Sequence, residues 1–222
     1  MSQWTDLVLD LLFPPKCMFC GSLMETSDDV VCAKCLQSDL PEVERDLPKA
    51  QYFEKTIATF WYEEPVIGAI LRFKFHGMSS YAGQFGRWLS GTVADKLSGD
   101  FDLISWVPCS GLRRWSRGFD QAELLAESVA AAMGMEAVPT LIKVKHNPKQ
   151  SKTKGSARRK ANVLGAYQAY EPQRFQGKRI LLIDDVLTTG ATMSECGKTL
   201  LMAGSGELVC AVVAAAHGDH NK

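Results

Sequence analysis

Residues Ile180–Thr192 read ILLIDDVLTTGAT. The four apolar residues Ile180 to Ile183 make the short unbroken run expected of a strand buried on both faces, as in a parallel sheet. Asp184 and Asp185 follow at its carboxyl end, where open α/β sheets bind ligands. Val186 and Leu187 lead into Thr188, Thr189 and Gly190, and Ala191-Thr192 opens a helix. A helix start offers unpaired backbone N–H groups and a positive dipole end to an anion. Gly190 lets the backbone approach closely, and Thr188, Thr189 and Thr192 add hydroxyl donors. The two carboxylates can accept hydrogen bonds from ribose hydroxyls, so strand, acid pair and turn together suit a sugar phosphate. The Gly-Lys-Ser/Thr ending of a Walker loop is missing, and so is a dinucleotide fingerprint.

Downstream, the pattern predicts a helix from Ala191 to Ala203, closed by Gly204, and a buried strand over Leu208–Ala216. Upstream, strands are expected at Lys55–Tyr62, Phe101–Val107, Val138–Val144 and Gly165–Tyr170. Helices are expected after Pro65 through Ile67, Ile70 and Leu71, over Tyr81–Leu97, and from about Gln121 to Met133. Strands alternating with helices through residues 55–216 imply an α/β fold with a mostly parallel sheet flanked by helices. His146 to Asn162 lacks periodicity. Eight basic residues and no acid lie between Lys143 and Lys160, which reads as a solvated loop or as an anion-binding lid.

The N-terminal fifty residues have a different character. Trp4, Leu7, Val8, Leu11 and Leu12 recur at helical spacing before Pro14-Pro15. Cys17-x-x-Cys20 and Cys32-x-x-Cys35 then offer four thiolates at the spacing of a structural zinc site, with Gly21 in the first knuckle. Four protein ligands leave no open coordination position, so this metal has no catalytic part. A module this small buries little apolar surface, and the metal would supply most of its folding energy. Ser38 to Ala50 reads as a linker. The expected division is residues 1–50, helix and zinc module, and residues 51–222, the α/β domain.

Composition narrows the class but not the partner. The chain has 222 residues, 46% hydrophobic and 23% charged, with 25 basic and 25 acidic side chains, so only local electrostatics can point to a ligand. No apolar run approaches the roughly 20 residues of a membrane span. The N-terminus carries Asp6 and Asp10 and lacks a basic n-region, so it does not read as a signal peptide, and a cytoplasmic location is expected. Seven cysteines there argue for metal or free thiols over disulfides. Cys109, Cys196 and Cys210 read as buried or incidental thiols. His76 reads as a core-edge or capping residue, His146 as solvated, and His217 and His220 as part of a polar tail.

Several stretches together carry a resemblance: the two CxxC pairs, ILRFKFHG, VPCSGLRRWSRGFDQAELLA, RRKANVLGAY and IDDVLTTGAT, in that order along the chain. They resemble the ComF family, which includes ComFC and GntX-like proteins. That resemblance implies a type I phosphoribosyltransferase fold with an N-terminal zinc finger, and binding of phosphoribosyl pyrophosphate (PRPP) with Mg²⁺. It also implies a role in DNA uptake during natural transformation, with single-stranded DNA and a competence helicase-type uptake machinery as partners. By the family pattern Asp184 and Asp185 are the catalytic pair and hold the ribose hydroxyls. Thr188, Thr189, Gly190, Ala191 and Thr192 cup the 5′-phosphate, and Val186 and Leu187 before them belong to the same PRPP-binding run. Arg113, Arg114 and Arg117 lie in the pyrophosphate loop, with bracing of the Gln121 helix start as the alternative for Arg117, and Arg159 and Lys160 lie in the lid. Asp120 stands where the family commonly has Asn, and Cys109 where it commonly has an apolar residue. Thr188 stands where 6-oxopurine salvage enzymes place an acid, which weakens a 6-oxopurine acceptor. Three functions follow as expectations: transfer of phosphoribosyl to an unidentified acceptor, nucleobase salvage unconnected with DNA uptake, or non-catalytic binding of nucleic acid or a protein partner.

Overall fold

The computed structural model describes residues 15–24, 29–75, 79–145 and 164–217. The Trp4–Leu12 helix, His76, His146, Arg159, Lys160 and His220 lie outside the described residues.

In chain order the elements are α1 (Ala33–Leu36), β1 (Lys55–Trp61), α2 (Val66–Phe75), α3 (Tyr81–Lys96), β2 (Leu103–Trp106), α4 (Gly111–Arg117) and α5 (Gln121–Ala132). β3 (Leu141–Lys143), β4 (Tyr167–Ala169), β5 (Ile180–Leu187), α6 (Ala191–Met202) and β6 (Leu208–Ala215) follow. The main sheet has the order β1-β6-β5-β2, every pair parallel. β5 is therefore central, and its alternating side chains are buried on both faces. Leu181 and Ile183 pack with α2, α3 and α5, alongside Phe73, Phe85, Leu89, Leu125 and Val129. Ile180 and Leu182 pack on the opposite face with Phe175 and with Met193, Cys196 and Leu200 of α6. All eight residues of β6 are buried, the pattern of a strand covered on both sides.

Four expectations need correction. β5 does not stop at Ile183: Val186 and Leu187 pair with Ala214 and Ala215 of the equally long β6, so the ladder runs past the acid pair. The arginines expected in a loop lie on the short helix α4, stopped by Gly118. The strand expected over Val138–Val144 is only β3, and it pairs antiparallel with β4 instead of joining the main sheet. Ser38–Ala50 is not simply a linker. Val43 N–H donates to the Thr59 carbonyl at 3.0 Å and Trp61 N–H to the Pro41 carbonyl at 2.6 Å. Val43 is buried, so this segment covers the open edge of β1, an edge that would otherwise invite pairing.

The cysteine module is seated in the main core. Cys17, Met18 and Phe19 belong to the same buried cluster as Phe60, Phe85 and Leu89. Arg72 of α2 donates to the Met18 and Phe19 carbonyls, each at 2.8 Å, and Phe19 stacks on Trp88 at 5.7 Å between centroids.

Candidate functional site

Successive residues of a strand face opposite ways, and this splits the acid pair. Asp185 continues the face of Leu181 and Ile183 and meets Lys74 of α2 at 2.9 Å. Asp184 continues the face of Ile180 and Leu182, toward α6 and the β3–β4 ribbon. Both line one cleft of about 300 Å³ together with Val186, Thr192, Arg113 and Arg117. The same cleft takes in Lys74, Cys109, Asp120, Gln121, Lys143 and Tyr167. Its volume is at the low end of the range for small-molecule sites.

The electrostatics follow from burial beside charge. Burial, then the neighbouring Asp185 charge, pushes the Asp184 carboxyl up to about 8. Burial works against the Lys74 charge, but Asp185, with Asp184 behind it, outweighs burial and holds the ammonium above its ordinary value. On the ribbon, Lys143 donates to the Tyr167 hydroxyl at 2.9 Å. Burial and then the Arg113 charge hold the Lys143 ammonium below its ordinary value, while burial raises the Tyr167 hydroxyl. Four cations thus surround two clustered carboxylates. Such a cleft suits a ligand that is anionic at one end and hydroxylated at the other.

The wall built by α4 and α5 is held from behind. Asp120 caps α5, accepting from Ala122 N–H at 3.2 Å and from Cys109 N–H at 2.6 Å. An Asp serves here as an N-cap as well as Asn would. Burial and the Asp120 charge push the Cys109 thiol up to about 12, so it stays a neutral thiol. Arg117 donates to Gln121 Oε1 at 2.6 Å and covers the Phe75 ring at 5.0 Å. It therefore braces the start of α5 while it lines the cleft. Arg114 turns away and pairs with Glu123 at 2.9 Å.

The turn after β5 sits where three cavities meet. Gly190 takes φ +71° immediately before α6, a backbone state that favours glycine. Thr192 faces the acidic cleft. Leu187, Thr188, Thr189 and Gly190 border a neighbouring cavity of about 310 Å³ with Arg45, Lys49 and Trp61. Thr189, Gly190 and Ala191 also border one of about 490 Å³ with Tyr52 and Lys198. Sequence reading missed Lys74, Lys143, Tyr167 and Gln121, because a single Lys, Tyr or Gln has no spacing signal. The capping role of Asp120 was missed as well, although an Asp just before an apolar-periodic run carries an N-cap signal.

The second cluster is Cys17, Cys20, Cys32 and Cys35, whose sulfurs all lie within 4.8 Å of one another. Cys20 Sγ and Cys32 Sγ are 3.7 Å apart, close to the roughly 3.8 Å edge of a tetrahedron with 2.3 Å zinc–sulfur bonds. The Ser22 hydroxyl, 3.0 Å from Cys20 Sγ, and then the Ser22 backbone lower that thiol to about 6, which favours the thiolate a metal needs. Gly21 takes φ +72° in this knuckle. The donor set fits structural zinc.

Among the described residues no helix is long and apolar enough to cross a membrane. A family model described as Phosphoribosyl transferase domain matches residues 120–222, and one described as Double zinc ribbon domain matches residues 8–46. The chain is 30% identical over 200 residues to Competence protein F of Haemophilus influenzae, covering 87% of this chain and 82% of that one. It is 30% identical over 195 residues to DNA utilization protein YhgH of Salmonella typhimurium, covering 85% and 79%. Among solved structures, glutamine phosphoribosylpyrophosphate amidotransferase from B. subtilis, complexed with ADP and GMP, aligns over 59% of this chain and 26% of its own. That alignment has 21% identity and a TM-score of 0.40. With a parallel sheet ending in an acidic cleft, a four-thiol cluster at the N-terminus, and this similarity over most of both chains, the protein belongs to the ComF family of competence proteins.

Proposed function

We propose that the cleft binds PRPP with Mg²⁺ and that the protein acts in the handling of DNA taken up by the cell, in the cytoplasm. The observation that carries this reading is the convergence of Asp184, Asp185 and Thr192 with Lys74, Arg113, Arg117 and Lys143 around one cavity. Asp184 and Asp185 would accept from the 2′ and 3′ hydroxyls of the ribose. The turn Thr188–Thr192 would take the 5′-phosphate on backbone N–H groups and hydroxyls. Guanidinium groups suit phosphate oxygens, which assigns Arg113 and Arg117 to the pyrophosphate end, with Arg159 and Lys160, which lie outside the described residues, as further cations for that end. Bound Mg²⁺ would neutralise the pyrophosphate and keep most of its own water. Arg114, tied to Glu123, contributes charge at the rim rather than a direct contact. In phosphoribosyl transfer, the C1–pyrophosphate bond breaks as an acceptor nucleophile bonds to C1. The enzyme's part is to hold the ring and steady the leaving group.

Calorimetric titration with PRPP and Mg²⁺ tests this reading. Wild type should bind, and Asp184→Asn/Asp185→Asn should bind about a hundredfold more weakly. Binding of wild-type affinity in the double variant would end it. Transfer is tested separately by pyrophosphate release screened against bases, amines and nucleic acids.

A nucleic-acid surface is favoured by one specific feature. Trp115 of α4 is 87% exposed, with Leu112 exposed beside it and Arg113, Arg114 and Arg117 on the same short helix. Single strands bind through cations interleaved with stacking aromatics. Trp115→Ala should weaken single-stranded DNA binding by roughly five- to a hundredfold, and affinity should fall with salt. The named relatives, a competence protein and a DNA utilization protein, agree with that role.

A further inference from the structure

The first residue of α5 carries a buried donor that the protein does not use. Gln121 is 2% exposed and lines the acidic cleft. Its Oε1 accepts from Arg117 at 2.6 Å. That bond fixes which way the amide faces, because a flipped amide would set NH₂ against guanidinium N–H. The remaining atom, Nε2, has no hydrogen-bond partner among the described residues. A buried unpaired donor costs stability, so one retained beside a cavity points to an acceptor that arrives with a ligand. Arg113 and Arg117 flank the same wall and supply positive charge, whereas the hydroxyl-accepting carboxylates lie on the floor.

We propose that Gln121 Nε2 donates to a diphosphate oxygen of the bound ligand, which makes Gln121 a specificity-determining residue for the pyrophosphate end. This rests on the PRPP reading for the ligand's identity, but the oxyanion contact stands by itself. Arg117 orients the amide, and Asp120 fixes the helix start from which it projects. A ligand with a phosphate at the sugar 5 position alone would not reach this donor.

The experiment compares wild type with Gln121→Leu on the full chain, titrating Mg-pyrophosphate, Mg-PRPP and ribose 5-phosphate, and measuring Tm of each free protein. Leu keeps the bulk and removes the unpaired donor together with the oxygen to which Arg117 donates. Affinity for pyrophosphate and PRPP should fall about tenfold or more, ribose 5-phosphate should bind within about twofold of wild type, and Tm should change little, because loss of the unpaired donor offsets loss of the Arg117 bond. A residue that only props up α5 would lower Tm and leave pyrophosphate affinity unchanged. Unchanged pyrophosphate affinity in Gln121→Leu overturns the proposal, as does an equal loss for ribose 5-phosphate, or wild type that does not bind pyrophosphate. Should Gln121→Leu not fold, Gln121→Asn, which withdraws the amide by one methylene, must show the same selective loss. Wild type that binds pyrophosphate through Gln121, but neither PRPP nor ribose 5-phosphate, would leave this contact standing and remove the PRPP reading.

Discussion

Cys17, Cys20, Cys32 and Cys35 come from one short stretch near the N-terminus, and their sulfurs converge through two knuckles. The cleft instead draws Lys74 from α2, Arg113 from α4, Lys143 from β3 and Asp184 from β5. The cysteine cluster is a local site whose donor set fits a structural metal. The cleft is a distributed site that an already folded sheet presents. Loss of the first should therefore be felt mainly as stability, and loss of the second mainly as ligand affinity.

The sharpest way to break this contrast is Cys17→Ser. Cys17 is fully buried within the main core. Losing the metal there should cost more than about 4 kcal/mol, lowering Tm by roughly 10 °C. An unchanged Tm together with full zinc content would erase the distinction. Next comes Asp184→Asn/Asp185→Asn, which should weaken Mg-PRPP binding by about a hundredfold, roughly 2.7 kcal/mol. Its Tm should fall less than that of Cys17→Ser, since relief of the repulsion between the two acids partly offsets the loss of the Lys74–Asp185 pair. A fall in Tm comparable to that of Cys17→Ser would mean that the carboxylates are structural.

A smaller effect is expected from Asp120→Ala, which removes the α5 cap and the hold on Cys109 N–H. Denaturant unfolding should show a loss of about 1–2 kcal/mol. An intermediate loss of PRPP affinity should accompany it, because this residue belongs to both categories. The last test is the pH dependence. Asp184 has a folded pKa raised to about 8, above its unfolded value. Its contribution to stability is therefore present at low pH and lost as pH rises toward and through about 8. Mg-PRPP affinity should move the other way, increasing as the carboxylate ionises. Tm and affinity measured from pH 6 to 9 in wild type and Asp184→Asn would check both signs, and parallel trends would contradict the assignment.

The same contrast explains what could be read from the sequence. The cysteine spacing declared the metal site outright, because all four ligands are near neighbours in the chain. Ile180–Thr192 declared the strand, the acid pair and the turn for the same reason. The walls of the cleft were only partly legible. Arg113 and Arg117 could be placed through family resemblance, but Lys74 sits in an aromatic-basic helix whose apolar face says nothing about Asp185. Lys143 and Tyr167 meet across an antiparallel ribbon whose pairing depends on the long connection between them. Gln121 reads as an ordinary first-turn residue until its burial is seen. Arg72 likewise showed no sign that it grips the Met18 and Phe19 carbonyls.

β5 continues in register with β6 beyond Asp184 and Asp185, as far as Leu187 and Ala215. The carboxylates therefore sit on a backbone pinned on both sides of them, not on a loop tip. A sugar arriving there would find its hydroxyl acceptors already in place. Whatever ordering entropy the complex requires should then fall on the side chains of the walls rather than on the floor.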